Sequence, residues 1–239
     1  MANIEYIDIP DIVAFDLDGT LTTQGTVGRL CAKYAENATA RALVLCDKFY
    51  RAARFVKDSI NDDFHIGSET KRRILSVIAK PREGAAEMVD GIKHLGVSVT
   101  LLSNGPKDAW GKRISRHFNL GSGFDQESFR EDLGKELKPS PSGLLNQIQS
   151  VNTQSDSAKV VWMVGDQISD MLTAIAANNS TDHKVIPVAM GEDSPAAEFL
   201  RQSCECTHMI ARSCDDILET VQVLKTMQAF MPAPTSTLK

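Results

Sequence analysis

The chain has 239 residues, 42% of them hydrophobic, and a formal net charge of −5. That suffices for one large domain, or a core with a smaller insert, that folds without metal or disulfide staples. An acidic balance argues against a nucleic-acid scaffold, which needs basic patches to neutralise phosphates. The N-terminal MANIEYIDIPD carries acids where a secretory signal would carry Lys or Arg, and no later stretch approaches the roughly 18 uninterrupted apolar residues of a membrane span. A cytoplasmic protein with no membrane or nucleic-acid partner is expected.

In chain order, an apolar run over 11–15 reads as a buried strand stopped by a turn at Asp16-Leu17-Asp18-Gly19-Thr20. From about 28 to 79 no strand is evident, and the Ala-, Leu-, Arg- and Lys-rich runs 30–55 and 69–79 read as helical. This predicts a helical insertion over 25–80, with Pro81-Arg82-Glu83-Gly84 punctuating the return to the core. An insertion at that point would overhang the ligand-binding edge of an open sheet, although a helical extension that only adds stability fits the same residues. Further strands are predicted over 97–102, 160–164 and 185–189, and amphipathic helices over 84–94, 106–118, 142–149, 168–178 and 195–202. The MPAPTSTLK end reads as a frayed tail. Strands apolar at nearly every position, alternating with helices, belong to a mainly parallel sheet covered on both faces. The expected fold is α/β, a doubly wound Rossmann-like core over 1–24 and 81–239 with a small helical cap.

The five cysteines are odd in number and unevenly spaced, so reduced thiols are expected rather than a disulfide framework. The spacing of Cys204, Cys206, His208 and Cys214 is not that of a zinc finger or ribbon, and no metal is assigned there.

The predicted strand ends carry the chemistry. Asp16 and Asp18, two apart, can point into one crevice while Leu17 turns into the core, and Gly19 permits a tight turn that brings backbone N–H groups near them. A strand ending in a polar turn is the plainer reading of that motif alone. The 97–102 strand runs into Ser103-Asn104-Gly105-Pro106, where hydroxyl, amides and a helix start can hold an oxyanion, though such a turn needs no ligand. Lys138 precedes Pro139 in a stiff segment, where a solvated lysine is the usual reading. Asp166 closes the 160–164 strand and Asp170 lies in the first turn of the next helix, so both can reach one hard cation or can simply cap. Together Asp16, Asp18, Asp166 and Asp170 bring about −4 against about +1 from Lys138, and such a crevice repels a phosphate dianion. A divalent cation is required, and an all-oxygen donor set suits Mg²⁺.

The segments Phe15-Asp16-Leu17-Asp18-Gly19-Thr20-Leu21, Ser103-Asn104-Gly105, Lys138-Pro139 and Gly165-Asp166 to Asp170 resemble, in order and spacing, the four motifs of the haloacid dehalogenase-like (HAD) hydrolase superfamily. The insertion resembles a C1-type cap, as in phosphoglycolate phosphatase-like members. The resemblance implies a phosphatase of small phosphorylated metabolites. Asp16 would be the nucleophile that forms an aspartyl-phosphate. Asp18 would be the general acid and base, its backbone carbonyl also binding the metal. Gly19, Thr20, Ser103, Asn104 and Gly105 would line the substrate phosphate, and Lys138 would neutralise charge on nucleophile and phosphoryl group. Asp16, Asp18, Asp166 and Asp170 would form the Mg²⁺ site, Asp170 supporting the metal or Lys138. Dehalogenating members usually lack an acid at the position of Asp18, which favours phosphoryl chemistry.

Two rivals are a phosphosugar mutase of the same superfamily, with Lys57, Asp58 and His65 as polar candidates in the insertion, and a non-catalytic relative that binds a phosphorylated ligand or a protein. Thr22-Thr23-Gln24 departs from the acid and Ser found there in many C1-capped relatives, so no named substrate is inherited. A monomer or homodimer is expected.

Overall fold

The computed structural model describes residues 7–24, 79–105, 107, 123–151, 157–203 and 206–230. Its strands are β1 (Ile12–Phe15), β2 (Thr22–Gln24), β3 (Ala79–Pro81), β4 (Ser98–Leu102), β5 (Gln126–Ser128), β6 (Val160–Gly165), β7 (Lys184–Met190) and β8 (Met209–Ala211). Its helices are α1 (Ala85–His94), α2 (Arg130–Leu133), α3 (Ser142–Val151), α4 (Ile168–Ser180), α5 (Pro195–Ser203) and α6 (Cys214–Phe230). The helix expected over 106–118 and the insertion interior, 25–78, lie outside the described residues.

Six strands form one sheet in the order β5-β4-β1-β6-β7-β8, every neighbouring pair parallel. Side-chain alternation along each strand explains the two layers of helices. Val13 and Phe15 of β1, with Trp162 and Val164 of β6, pack against Met88, Val89 and Ile92 of α1 and Ile217 and Val221 of α6. Ile12 and Ala14, with Val161 and Met163, face the other way onto Leu144 and Ile148 of α3 and Ala174 and Ala177 of α4. All four β1 residues are buried. The strand therefore reads as an uninterrupted apolar run, as a central parallel strand must.

The chain first winds outward from β1 through β4 to β5, then returns to the other side of β1 and winds through β6, β7 and β8. The order reverses at β1, so the carboxyl ends of β1, β4 and β6 surround the switch point where open α/β sheets bind ligands.

A second, two-stranded sheet pairs β2 with β3 antiparallel, Thr22 opposite Pro81 and Gln24 opposite Ala79. These strands flank the insertion on either side. The return was expected near Pro81, and the pairing begins at Ala79; three residues, Ala-Lys-Pro, offer no β-branched pattern from which to read a strand.

Cys206 is disulfide-bonded, whereas Cys214 is a free, buried thiol. This corrects the expectation of reduced thiols throughout. An odd count leaves one thiol over but does not prevent the others from pairing, and spacing alone carries no distances. Among the described residues no helix is long and apolar enough to cross a membrane.

Candidate active site

β1 ends at Phe15, and the next three residues leave the sheet in alternation: Asp16 buried in the crevice, Leu17 fully buried in the core, Asp18 exposed. The turn closes when the Leu21 and Thr22 N–H groups donate to the Leu17 carbonyl at 3.1 and 3.0 Å, with the Thr22 hydroxyl adding a third bond at 3.1 Å. One carbonyl thereby anchors the return from the loop after β1 into β2.

Carboxylate oxygens of Asp16, Asp166 and Asp170 lie within 4.8 Å of one another. The Asp18 carboxylate is not in that group. Two glycines make the approach possible. Gly19 has φ of +90°, and a Cβ built on it would stand 2.2 Å from Asp166 Oδ2. A Cβ on Gly165 would meet the Asp170 side chain at 2.3 Å. Asp166 is further oriented by the Thr20 hydroxyl, which donates to its Oδ1 at 3.3 Å, and by Gln167 Nε2, which donates to its Oδ2 at 2.7 Å.

Lys138 joins the two buried acids. Its Nζ donates to Asp16 Oδ1 at 2.5 Å and to Asp170 Oδ1 at 2.6 Å, all three side chains being buried. The second Asp170 oxygen accepts from the Gln167 backbone N–H at 3.1 Å. Asp170 thus caps α4 and pairs with Lys138 at once. Lys138 is held by Asn104: its backbone N–H donates to Asn104 Oδ1 at 3.0 Å, and Asn104 Nδ2 donates to the Lys138 carbonyl at 3.1 Å. The carboxamide of Asn104 is therefore turned to the main chain of Lys138. Ser103, also buried, accepts the Gly105 N–H on its Oγ at 3.0 Å, which leaves its O–H proton to donate. Thr20 is fully buried with its hydroxyl turned to Asp166.

The electrostatics follow from this burial. Asp16 is pushed up to about 7, chiefly by burial; Lys138 pulls the other way, and the charge of Asp170 adds to the rise. Burial also raises Asp166, with Asp170 contributing. Burial by itself would lower Lys138, but the carboxylates of Asp16 and Asp170 outweigh it and hold the ammonium above its ordinary value. One ammonium among three acids leaves the pocket short of positive charge. Hard oxygen donors at this spacing fit Mg²⁺ better than a softer ion.

Arg82, Gln167 and the clamping role of Asn104 were not singled out in the sequence. Arg82 and Asn104 act on main-chain groups distant in the chain, and Gln167 on the carboxylate of its neighbour Asp166, and no short motif records these contacts.

A family model described as haloacid dehalogenase-like hydrolase matches residues 10–178. The chain belongs to the haloacid dehalogenase-like hydrolase family, and it is an enzyme of that class. No curated protein matches the sequence. Among solved structures it is similar to a HAD-superfamily hydrolase from Ehrlichia chaffeensis, at 19% identity and TM-score 0.54, covering 91% of this chain and 98% of that one. It is also similar to a HAD-superfamily hydrolase of subfamily IA, variant 1, from Geobacter sulfurreducens PCA, at 15% identity and TM-score 0.56, covering 92% and 100%. A proposed phosphatase from Clostridium difficile is similar at 18% identity and TM-score 0.56, covering 89% and 100%. At these identities the likeness is one of fold.

Proposed function

We propose that the protein is a Mg²⁺-dependent phosphatase of small phosphate monoesters. The observation that carries this reading is the convergence of Asp16, Asp166 and Asp170 within 4.8 Å around Lys138, beside the exposed Asp18. Asp16, Asp166 and the Asp18 backbone carbonyl would hold the ion, with Asp170 behind them. When bound, the dication would offset the negative charge of both pocket and ester and restore an ionised Asp16 at neutral pH.

The chain's own residues supply the steps. Lys138 fixes the rotation of the Asp16 carboxylate, one oxygen of which attacks phosphorus as the bond to the ester oxygen breaks. Asp18, exposed at the rim, gives its proton to the departing alkoxide. It then takes a proton from the water that attacks the aspartyl-phosphate, which releases phosphate and regenerates Asp16. Ser103 and the amides around Asn104 and Gly105 hold the transferring oxygens. An acid at position 18 favours an oxygen leaving group, since a halide needs no proton.

The test is phosphate release from p-nitrophenyl phosphate, followed by a panel of phosphoglycolate, sugar phosphates and nucleoside monophosphates to find the substrate class. Activity abolished by EDTA and restored by Mg²⁺, and lost in Asp16→Asn, is expected. Undiminished turnover in either condition would remove the proposal.

A further inference from the structure

We infer that Arg82 is a positioning residue that ties the returning strand of the insertion to the loop holding Asp166. Arg82 follows β3 directly, and its backbone N–H donates to the Leu21 carbonyl at 2.9 Å. Its Nε donates to the Thr20 carbonyl at 2.7 Å, and its NH2 group donates to the Gly19 carbonyl. A single side chain therefore grips two consecutive peptides with the planar fork that only guanidinium provides.

Those two residues are the ones that shape the seat of Asp166. Gly19 leaves the space filled by the Asp166 carboxylate, and the Thr20 hydroxyl donates to it. Gly19 at φ +90° is also free to relax, because a glycine peptide has little steric cost for rotating away. Releasing its carbonyl would let the peptide swing, and the wall against which Asp166 rests would move with it. Arg82 has no hydrogen bond or ion pair with the three acids among the described residues, and it reaches them through this loop. The line of contact runs from β3 to Arg82, then to Gly19 and Thr20, and on to Asp166, so the stem of the insertion and the metal seat share one support.

Arg82, Gly19 and Asp166 also line a common cavity of about 450 Å³ together with Ser194 and Arg212. The guanidinium is therefore reachable by a small solute, which makes the inference testable by replacement of the group itself.

The inference rests on the metal-dependent reading above, and its test reads metal binding separately from turnover. Mg²⁺ affinity is measured by titration on the full chain for wild type, Arg82→Ala and Arg82→Lys, with p-nitrophenyl phosphate turnover followed in parallel. Loss of a partner that orients a metal ligand typically costs about 10–100-fold in metal affinity or activity, and that weakening is expected in Arg82→Ala. Millimolar guanidinium, far below denaturing concentrations, is expected to recover part of it, whereas urea, neutral and of the same shape, is not. Wild-type Mg²⁺ affinity in a folded Arg82→Ala, or a weakening that guanidinium leaves untouched, overturns the inference. Should Arg82→Ala fail to fold, Arg82→Lys decides: weakened affinity supports the role and unchanged affinity refutes it. A wild type that binds Mg²⁺ without releasing phosphate removes the phosphatase reading and leaves Arg82 to be judged on binding; one that binds no Mg²⁺ overturns both.

Discussion

The carboxylate of Asp166 occupies the space in which Gly19 would carry a side chain, a built Cβ lying 2.2 Å from its Oδ2. The positive φ of Gly19, +90°, is one that L residues rarely adopt. Gly19→Ala meets both obstacles. Backbone strain at such a position costs roughly 1–3 kcal/mol, and Asp166 has to shift. The variant should fold with a lowered melting temperature and lose about 10–100-fold in turnover, with weakened Mg²⁺ affinity. A variant with wild-type turnover would show that the contact between these residues does not set the site.

The raised Asp16 and Asp166 give a second expectation. Both carboxyls have an ordinary value of 3.8; in the folded protein Asp16 stands at about 7 and Asp166 is also raised. A folded value above the unfolded one contributes stability that is present below the unfolded pKa and is lost as pH rises through the folded value. The cation-free protein should therefore melt lower at pH 8 than at pH 5, by about 2–4 °C for each kcal/mol lost. Asp16→Asn should lack most of this fall, so the difference between the two proteins isolates Asp16. Mg²⁺ should raise the wild-type melting temperature more at pH 8, where it displaces no proton, than at pH 5. Equal Mg²⁺ shifts at both pH values would contradict the assignment.

Much of this arrangement could be read from sequence because burial leaves a compositional trace. β1, β4, β6 and β7 lie inside the sheet order, are buried along nearly their whole length, and so show as apolar runs ending in polar turns. β5 and β8 are three-residue strands at the two edges, and Gln126-Glu127-Ser128 carries no apolar residue. Nothing marks such an edge strand except its neighbour. α6 was hidden for a different reason: Ile217, Val221 and Leu224 are buried, but Val223, Met227 and Phe230 are apolar and exposed, which blurs the stripe. The acids and Lys138 were visible as motifs. The residues that aim them were not, because Asn104 acts on the main chain of Lys138 and Arg82 on that of Gly19 and Thr20, and a backbone carbonyl has no letter in a sequence.

Lys138 offers a third test, because it is the ammonium shared by two buried carboxylates at 2.5 and 2.6 Å. Removing one partner of a buried ionic group costs about 3–5 kcal/mol, most of it from the charge left behind. Lys138→Ala should be destabilised strongly at pH 8 in EDTA and less at pH 5, where a proton on Asp16 can relieve the repulsion. Turnover should fall by roughly 10²–10³-fold, the scale seen when a preorganised charge donor is lost. Denaturant melts at the two pH values check the first part and steady-state kinetics the second. Equal destabilisation at both would mean that the lysine contributes by packing alone.

The pairing of β2 with β3 sets up the last experiment. Gln24 lies directly opposite Ala79 in an antiparallel pair, so the chain on either side of 25–78 is separated by only about 5 Å. A two-residue turn such as Asn-Gly spans that gap with the twist a hairpin requires. Replacing 25–78 by this turn keeps the stem, the Arg82 contacts to Gly19 and Thr20, and every carboxylate of the cluster. If 25–78 acts as a lid over the crevice, the shortened chain should melt cooperatively and still hydrolyse p-nitrophenyl phosphate. Its kcat/KM values across a panel of phosphorylated metabolites should then draw together, because nothing beyond the core would select the leaving group. A shortened protein with the wild-type order of preference would place selectivity in the core itself, with Asp18 and the loop after β7 as the next residues to vary.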